Sequence, residues 1–235
     1  MGYLGRLFEQ TGLANKAEIL DTLEPRPAGR LLDCGCGNGE FTARLARRAR
    51  VSECYGVECV DARIEEATGR GIIVAKADLN EPLPYEDGFF DIVHANQVIE
   101  HLANTDLFLR EIGRVLRPDG YAIVSTNNLA SWHNVFSLAL GMQPMPMHVS
   151  HETLVGNVFD PRRGEQHPFE GDAHLRIFSY RALRELCLYH GFEVETLKTA
   201  GYYPFPPAVA RLACKMDKVH GVYLIAKLRS RHNGR

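Results

Sequence analysis

Short apolar runs alternate along this chain with segments of helical periodicity. Leu31 and Leu32 begin a run of the kind that forms a buried parallel strand. Phe41, Leu45 and Ala49 then recur at helical spacing. Cys54 to Glu58, Ile72 to Ala75 (ending near Asp78), Phe89 to Ala95 and Tyr121 to Thr126 predict four more strands. Between them, Asp61 is the expected N-cap of a helix through Ile64 and Ala67, closed by Gly69 and Gly71. Leu107, Phe108, Ile112, Val115 and Leu116 predict an amphipathic helix from Thr105, stopped by Pro118 and Gly120. Ahead of the first strand, Leu13, Ala17, Leu20 and Leu23 share one helical face, and Pro25 and Pro27 end that segment.

Strands alternating with helices predict a mostly parallel sheet covered on both faces. The end of the chain departs from this alternation. A helix from Ser179 carries Leu183, Leu186, Cys187 and His190 and stops at Gly191. Phe192 to Leu197 and Val222 to Leu228 then read as two strands that pair antiparallel at the sheet edge, with Pro204, Pro206, Pro207 and a short helix between them. The expected organisation is one α/β domain over residues 1–235. Residues 1–27 form a helix that packs on the sheet edge, covers a ligand, or does both; residues 28–126 form the binding core; residues 179–235 supply the last helix and strands. Residues 127–178 show no repeat, yet hold Trp132, Met142, Met145, Met147 and half of the ten histidines. An insertion with that aromatic and Met content is expected to be an ordered substrate cover.

Composition narrows the picture modestly. With 27 basic against 29 acidic side chains, the net charge of −2 argues against nucleic acid as main partner. The basic closing segment Lys227, Arg229, Arg231 and Arg235 reads as a frayed, solvated tail. The six cysteines form no disulfide framework, and Cys34 and Cys36 have no second pair at zinc-ligand spacing. No signal peptide or long apolar segment is seen, and Arg6 stands where a myristoylation signal needs Ser or Thr. A cytoplasmic protein without membrane insertion is the expectation.

The chemistry gathers after the first strand, in Asp33-Cys34-Gly35-Cys36-Gly37-Asn38-Gly39. Strand, glycine loop and helix in that order build a site for a nucleotide-like ligand, with backbone approach allowed by the glycines. A dinucleotide loop wants a third glycine where Glu40 stands, and no Gly-Lys-Ser/Thr follows to make a P-loop. Asp33-x-Gly35-x-Gly37-x-Gly39 resembles the first motif of the class I S-adenosylmethionine-dependent methyltransferases. Gly56-Val57-Glu58, Ala77-Asp78-Leu79, Val98-Ile99-Glu100-His101-Leu102 and Arg114 to Gly120 follow in that family's order, over about residues 30–127. The likeness is nearest to the ubiquinone-biosynthesis-type and sugar-type small-molecule methyltransferases. It implies a Rossmann-like seven-stranded sheet with helices on both faces and S-adenosylmethionine as cofactor. It also implies a cofactor site of Asp33, Gly35, Gly37, Gly39, Glu58, Cys59, Asp78, Leu79 and Asn96. Glu58 would accept the ribose hydroxyls, Asp78 the adenine amino group, and the Leu79 backbone the ring nitrogen. Gly35 would offer its carbonyl to the methionine ammonium, with Asn96 near the transferring methyl.

Methyl transfer is an in-line displacement, so alignment alone can supply much of the rate, and an oxygen acceptor also benefits from a base. His101, His148 and His174 are the catalytic candidates, and no metal is expected. The Asn/Asp-Pro-Pro-aromatic sequence of amide and adenine N-methylation is missing, since Asn96-Gln97-Val98-Ile99 stands there. No Pro-Cys dipeptide serves a cysteine nucleophile, and Asn96, Asn127 and Asn128 supply no metal-binding carboxylates. A small hydroxyl acceptor remains, with an amine as main competitor. A scaffold without turnover, an RNA methyltransferase and a nicotinamide-dependent oxidoreductase stand behind it.

Overall fold

The computed structural model describes residues 2–166 and 173–230. The first half runs α1 (Tyr3–Thr22), β1 (Arg30–Cys34), α2 (Glu40–Ala49), β2 (Glu53–Glu58), α3 (Asp61–Gly69), β3 (Ile73–Lys76) and β4 (Phe90–Asn96). A 3₁₀ turn, Ile99–His101, leads to α4 (Thr105–Val115) and β5 (Leu116–Asn127). The rest is α5 (Trp132–Ala139), α6 (Tyr180–Tyr189), β6 (Phe192–Ala200), α7 (Pro207–Met216) and β7 (Tyr223–Ser230). The seven strands form one sheet in the order β3-β2-β1-β4-β5-β7-β6. β1 to β5 are parallel, and β7 runs antiparallel between β5 and the edge strand β6.

Alternation along the strands divides the core into two layers. Leu32, Val93, Ala122 and Val124 pack on one side with Phe108, Ile112 and Leu183 from α4 and α6. Leu31, Ile92, Tyr121 and Ile123 pack on the other with Leu7, Ile19 and Leu45 from α1 and α2. Both faces being covered explains why these strands read as apolar runs rather than as alternating patterns. The helix starts are set locally: Asn104 Oδ1 accepts from Leu107 N at 3.0 Å, and Ser179 Oγ accepts from Ala182 N at 3.3 Å.

Several expectations are corrected. Leu13 and Ala17 of α1 are exposed; the buried stripe is Leu7, Thr11, Asn15 and Ile19, with Leu23 after it. Asp61 is no cap: Val60 holds that position, and the Asp61 carboxylate pairs with Lys76 at 2.6 Å. The third strand ends at Lys76, before Asp78. β5 starts at Leu116 rather than Tyr121, so Pro118 and Gly120 stand inside it, next to an irregularity opposite β4 between Phe90 and Ile92. Part of the insertion is helical, as α5. Lys227 and Arg229 are not solvated tail residues. They lie in β7, where Lys227 is buried, and both bridge Glu24 and Glu195. Arg231 and Arg235 fall outside the described residues.

Candidate functional site

The carboxyl ends of β1, β2 and β4 meet around the glycine loop. Gly35, Gly37 and Gly39 have φ of +71°, +54° and +80°, a region that favours glycine. Their surroundings differ. A Cβ on Gly39 would come within 2.5 Å of Ile72 and 2.9 Å of Ala67, and one on Gly35 within 2.7 Å of Val98. A Cβ on Gly37 would meet nothing within 4 Å. Two of the glycines therefore permit packing of the protein on itself, while the middle one leaves its backbone open to a ligand.

Glu58, buried at the end of β2, braces the loop from below. Its Oε2 accepts from Gly37 N at 3.0 Å, and its Oε1 from Cys59 N at 2.9 Å and Val60 N at 3.0 Å. Four acceptor positions are available to a carboxylate, so Oε2 keeps capacity for a further donor. Cys59 is exposed beside it, and partial burial and then the Glu58 charge push its thiol pKa up. Asp33 is buried and faces inward: Oδ2 accepts from Thr42 Oγ1 and Oδ1 from His94 Nδ1, both at 2.6 Å. The other nitrogen of His94, Nε2, is buried with no hydrogen-bond partner among the described residues.

That ring lines a cavity of about 200 Å³ with Lys16, Asp33, Gly35, Gly37 and Asn96. Asn96 is held from α1, where Asn15 Nδ2 donates to its Oδ1 at 2.8 Å and Asn15 Oδ1 accepts from Ser125 Oγ at 3.0 Å. Asp78 and Leu79 stand beyond β3 and do not line this cavity. Asp78 is exposed, with Oδ1 accepting from the Asn80 backbone at 2.8 Å, while Leu79 packs against the core. The contributions of Asn15, Lys16, Thr42 and His94 are not apparent in the sequence. A polar residue inside a helix or an apolar strand gives no sign that its side chain turns toward a ligand.

One residue after Asn96 the environment changes. Gln97 has φ +58° and lines a second cavity of about 90 Å³, shared with Phe8, Met145, Arg162, His174 and Tyr223. Its Oε1 accepts from Asn127 Nδ2 at 2.8 Å, and its Nε2 is buried without a partner among the described residues. Asn127 Nδ2 also donates to Glu100 Oε1 at 3.2 Å, and Thr126 Oγ1 donates to Glu100 Oε2 at 2.8 Å. Burial raises the Glu100 pKa to about 7 against these hydrogen bonds.

The three candidate histidines are brought together here. His148 stacks on His174 at 4.3 Å between centroids, and His101 meets His174 edge-on at 4.7 Å. His174 Nδ1 donates to Pro146 O at 2.8 Å, its backbone N donates to His148 Nδ1 at 3.2 Å, and its Nε2 is left as the lone-pair nitrogen. Burial, then the neighbouring His148 and His101, push the His174 pKa down to about 3, so the ring is neutral at physiological pH. One ligand atom each from Glu100, His101 and His174 lie within 4.8 Å of one another. Both Glu100 oxygens already accept hydrogen bonds, which suits a buried polar network. His133, another lining residue, is also kept neutral by burial, with its pKa near 4.

A family profile described as a methyltransferase domain matches residues 3–197. The ubiquinone biosynthesis O-methyltransferase of Mesorhizobium japonicum is 34% identical over 104 residues, which are 42% of this chain and 41% of that protein. A protein named "probable S-adenosylmethionine-dependent methyltransferase" from Mycobacterium tuberculosis is 29% identical over 82% of this chain and 69% of its own. The chain spans less than half the length of the first curated relatives it matches, 33% to 44%. Among solved structures, an S-adenosylmethionine-dependent methyltransferase from Mesorhizobium loti superposes with a TM-score of 0.62 at 19% identity, covering 93% of this chain and 99% of that one. That likeness is one of fold, and the fold is the seven-stranded arrangement described above.

Proposed function

Because this chain belongs to the methyltransferase-domain family, we propose that it transfers a methyl group from S-adenosylmethionine to a hydroxyl oxygen of a small molecule. The observation that carries this reading is that two cavities are lined by consecutive residues, Asn96 in one and Gln97 in the other. One has a glycine cradle open at Gly37; the other is lined by the insertion. A donor on one side and an acceptor on the other is the layout that an in-line displacement requires.

The first cavity fits the cofactor. Gly37 presents bare backbone, and His94 Nε2 is a buried acceptor that an ammonium can satisfy; Glu58 does not line the cavity but lies behind Gly37, where its Oε2 has capacity for a ribose hydroxyl. Lys16 offers the matching positive charge to a carboxylate. Asp78 and Leu79 are read as the adenine contacts, with Cys59 at the ribose edge. S-adenosylmethionine supplies a methyl group on a sulfonium, so the acceptor oxygen needs only orientation and loss of its proton.

His174 is read as the hydrogen-bond acceptor for that hydroxyl, held in place by Pro146 and flanked by His148 and His101. With a pKa near 3 it aligns the hydroxyl rather than storing its proton, which favours an acidic hydroxyl such as a phenol or enol. The Arg162 charge in the same cavity disfavours a protonated amine. The second cavity also supports turnover over a scaffold role, and the near-neutral charge supports a small acceptor over RNA. Thermal denaturation with S-adenosylhomocysteine tests the reading. A rise in melting temperature that is lost in Glu58→Ala is expected; no shift at millimolar ligand overturns it.

A further inference from the structure

The second cavity presents hydrogen-bonding groups of opposite sense, and one of them has no role so far. Gln97 sits on backbone in the left-handed region, which is strained for a non-glycine residue and persists only when its surroundings impose it. Here the surroundings do so in two ways. Its backbone N–H donates to Ser125 O at 2.9 Å, and its side-chain Oε1 is bound by Asn127 Nδ2. Asn127 Nδ2 is the donor in that contact, and it also donates to Glu100 Oε1 at 3.2 Å. The amide orientation of Gln97 follows: oxygen toward Asn127, Nε2 away from it, buried and unpartnered. A buried amide N–H left without a partner is costly, so the site gains when a ligand oxygen arrives.

We propose that Gln97 is a specificity-determining residue, and that its Nε2 donates to a carbonyl or carboxylate oxygen standing next to the hydroxyl that is methylated. The acceptor class is therefore a hydroxy acid or hydroxy carbonyl compound. Its hydroxyl donates to His174 Nε2, and its second oxygen accepts from Gln97. Arg162 stands at the same cavity, with its guanidinium 4.9 Å over the Phe8 ring and its Nε paired with Asp160 at 3.5 Å. Phe8, Met145 and Val222 supply apolar lining for a ring or short chain, beside the polar His133 and Asn134. A site built this way rejects an analogue that lacks the second oxygen, because the amide is again left unpaired.

This inference rests on the methyltransferase reading, and the experiment separates the two. Protein saturated with S-adenosylhomocysteine is titrated with probes that carry or lack an oxygen-bearing group beside the hydroxyl: 2-hydroxybenzoate against phenol, and 2-hydroxyacetophenone against phenol. The expected result is at least about tenfold tighter binding of the oxygenated partner in wild type. In Gln97→Leu that preference should collapse to about onefold, while the thermal shift with S-adenosylhomocysteine is retained. Gln97→Glu keeps the shape but replaces the donor, and should disfavour 2-hydroxybenzoate more than it does 2-hydroxyacetophenone. Equal binding of the matched probes to wild type, failure of the oxygenated probes to bind, or an unchanged preference in Gln97→Leu overturns the proposal. Loss of the S-adenosylhomocysteine shift in wild type overturns the underlying reading instead.

Discussion

His94 Nδ1 donates to Asp33 Oδ1 at 2.6 Å, inside the sheet, and this bond joins neighbouring strands directly beneath the glycine loop. Removing the carboxylate strands two buried donors at once, His94 and Thr42 Oγ1. Asp33→Ala is expected to destabilise the fold by about 3 kcal/mol, read as a lower midpoint in urea at unchanged slope. His94→Leu should keep more of the stability and lose affinity for S-adenosylhomocysteine, measured by calorimetric titration. A variant that binds the ligand as wild type does would remove His94 from the cofactor site.

The glycines should separate by phenotype. Gly39→Ala sets a methyl against Ile72 and Ala67 on a backbone with positive φ, so the loss should appear in folding stability. Gly37→Ala meets open space, so its melting temperature should fall less and its ligand affinity more. The comparison requires only two melting curves, each run with and without S-adenosylhomocysteine.

Glu58→Gln keeps the side-chain shape but gives up charge-assisted hydrogen bonds worth about 1.5–3 kcal/mol each. Its affinity for S-adenosylhomocysteine should fall by about ten- to a thousandfold. A loss under twofold would show that the ribose is held elsewhere.

Glu100 and His174 make opposite contributions to stability as pH changes. The Glu100 pKa is raised from 4.5 to about 7, so the folded state holds the proton more tightly and stability falls as pH rises through that interval. Wild type should therefore lose about 3 kcal/mol relative to Glu100→Gln between pH 4.5 and pH 8. The His174 pKa is lowered to about 3, so its contribution is present above pH 6.5 and is lost as pH falls toward 3. Denaturant midpoints at four or five pH values distinguish the two trends. The turnover rate should accordingly show no acid limb from His174 between pH 5 and pH 8.

Much of this was legible in the sequence because strand, loop and helix at residues 30–49 follow from local chemistry. The run of Leu31 and Leu32 makes the strand, and the glycines make the turn. Phe41, Leu45 and Ala49 make the helix. The antiparallel ending was visible for a similar reason, since two apolar runs follow the helix that Ser179 caps. What stayed hidden depends on distant contacts. The stripe of α1 reads Leu7, Thr11, Asn15 and Ile19; Thr11 donates to Phe8 O within the helix, but Asn15 is satisfied by distant partners, Asn96 and Ser125. Lys227 and Arg229 look like a solvated tail until Glu24 and Glu195 are seen beside them. Gln97 gives no sign in sequence of its positive φ. Its conformation is imposed by β5, through Ser125 and Asn127.

Helix α1 carries one further implication. Phe8 lines one cavity and Lys16 the other, eight residues or about 12 Å apart along the same helix. Its far end is fastened, because Glu24 is held by Tyr121, Lys227 and Arg229, while Tyr3 and Leu4 at the near end are exposed. One helix therefore lines both cavities. Amide exchange along residues 3–16 should slow together when either cavity fills.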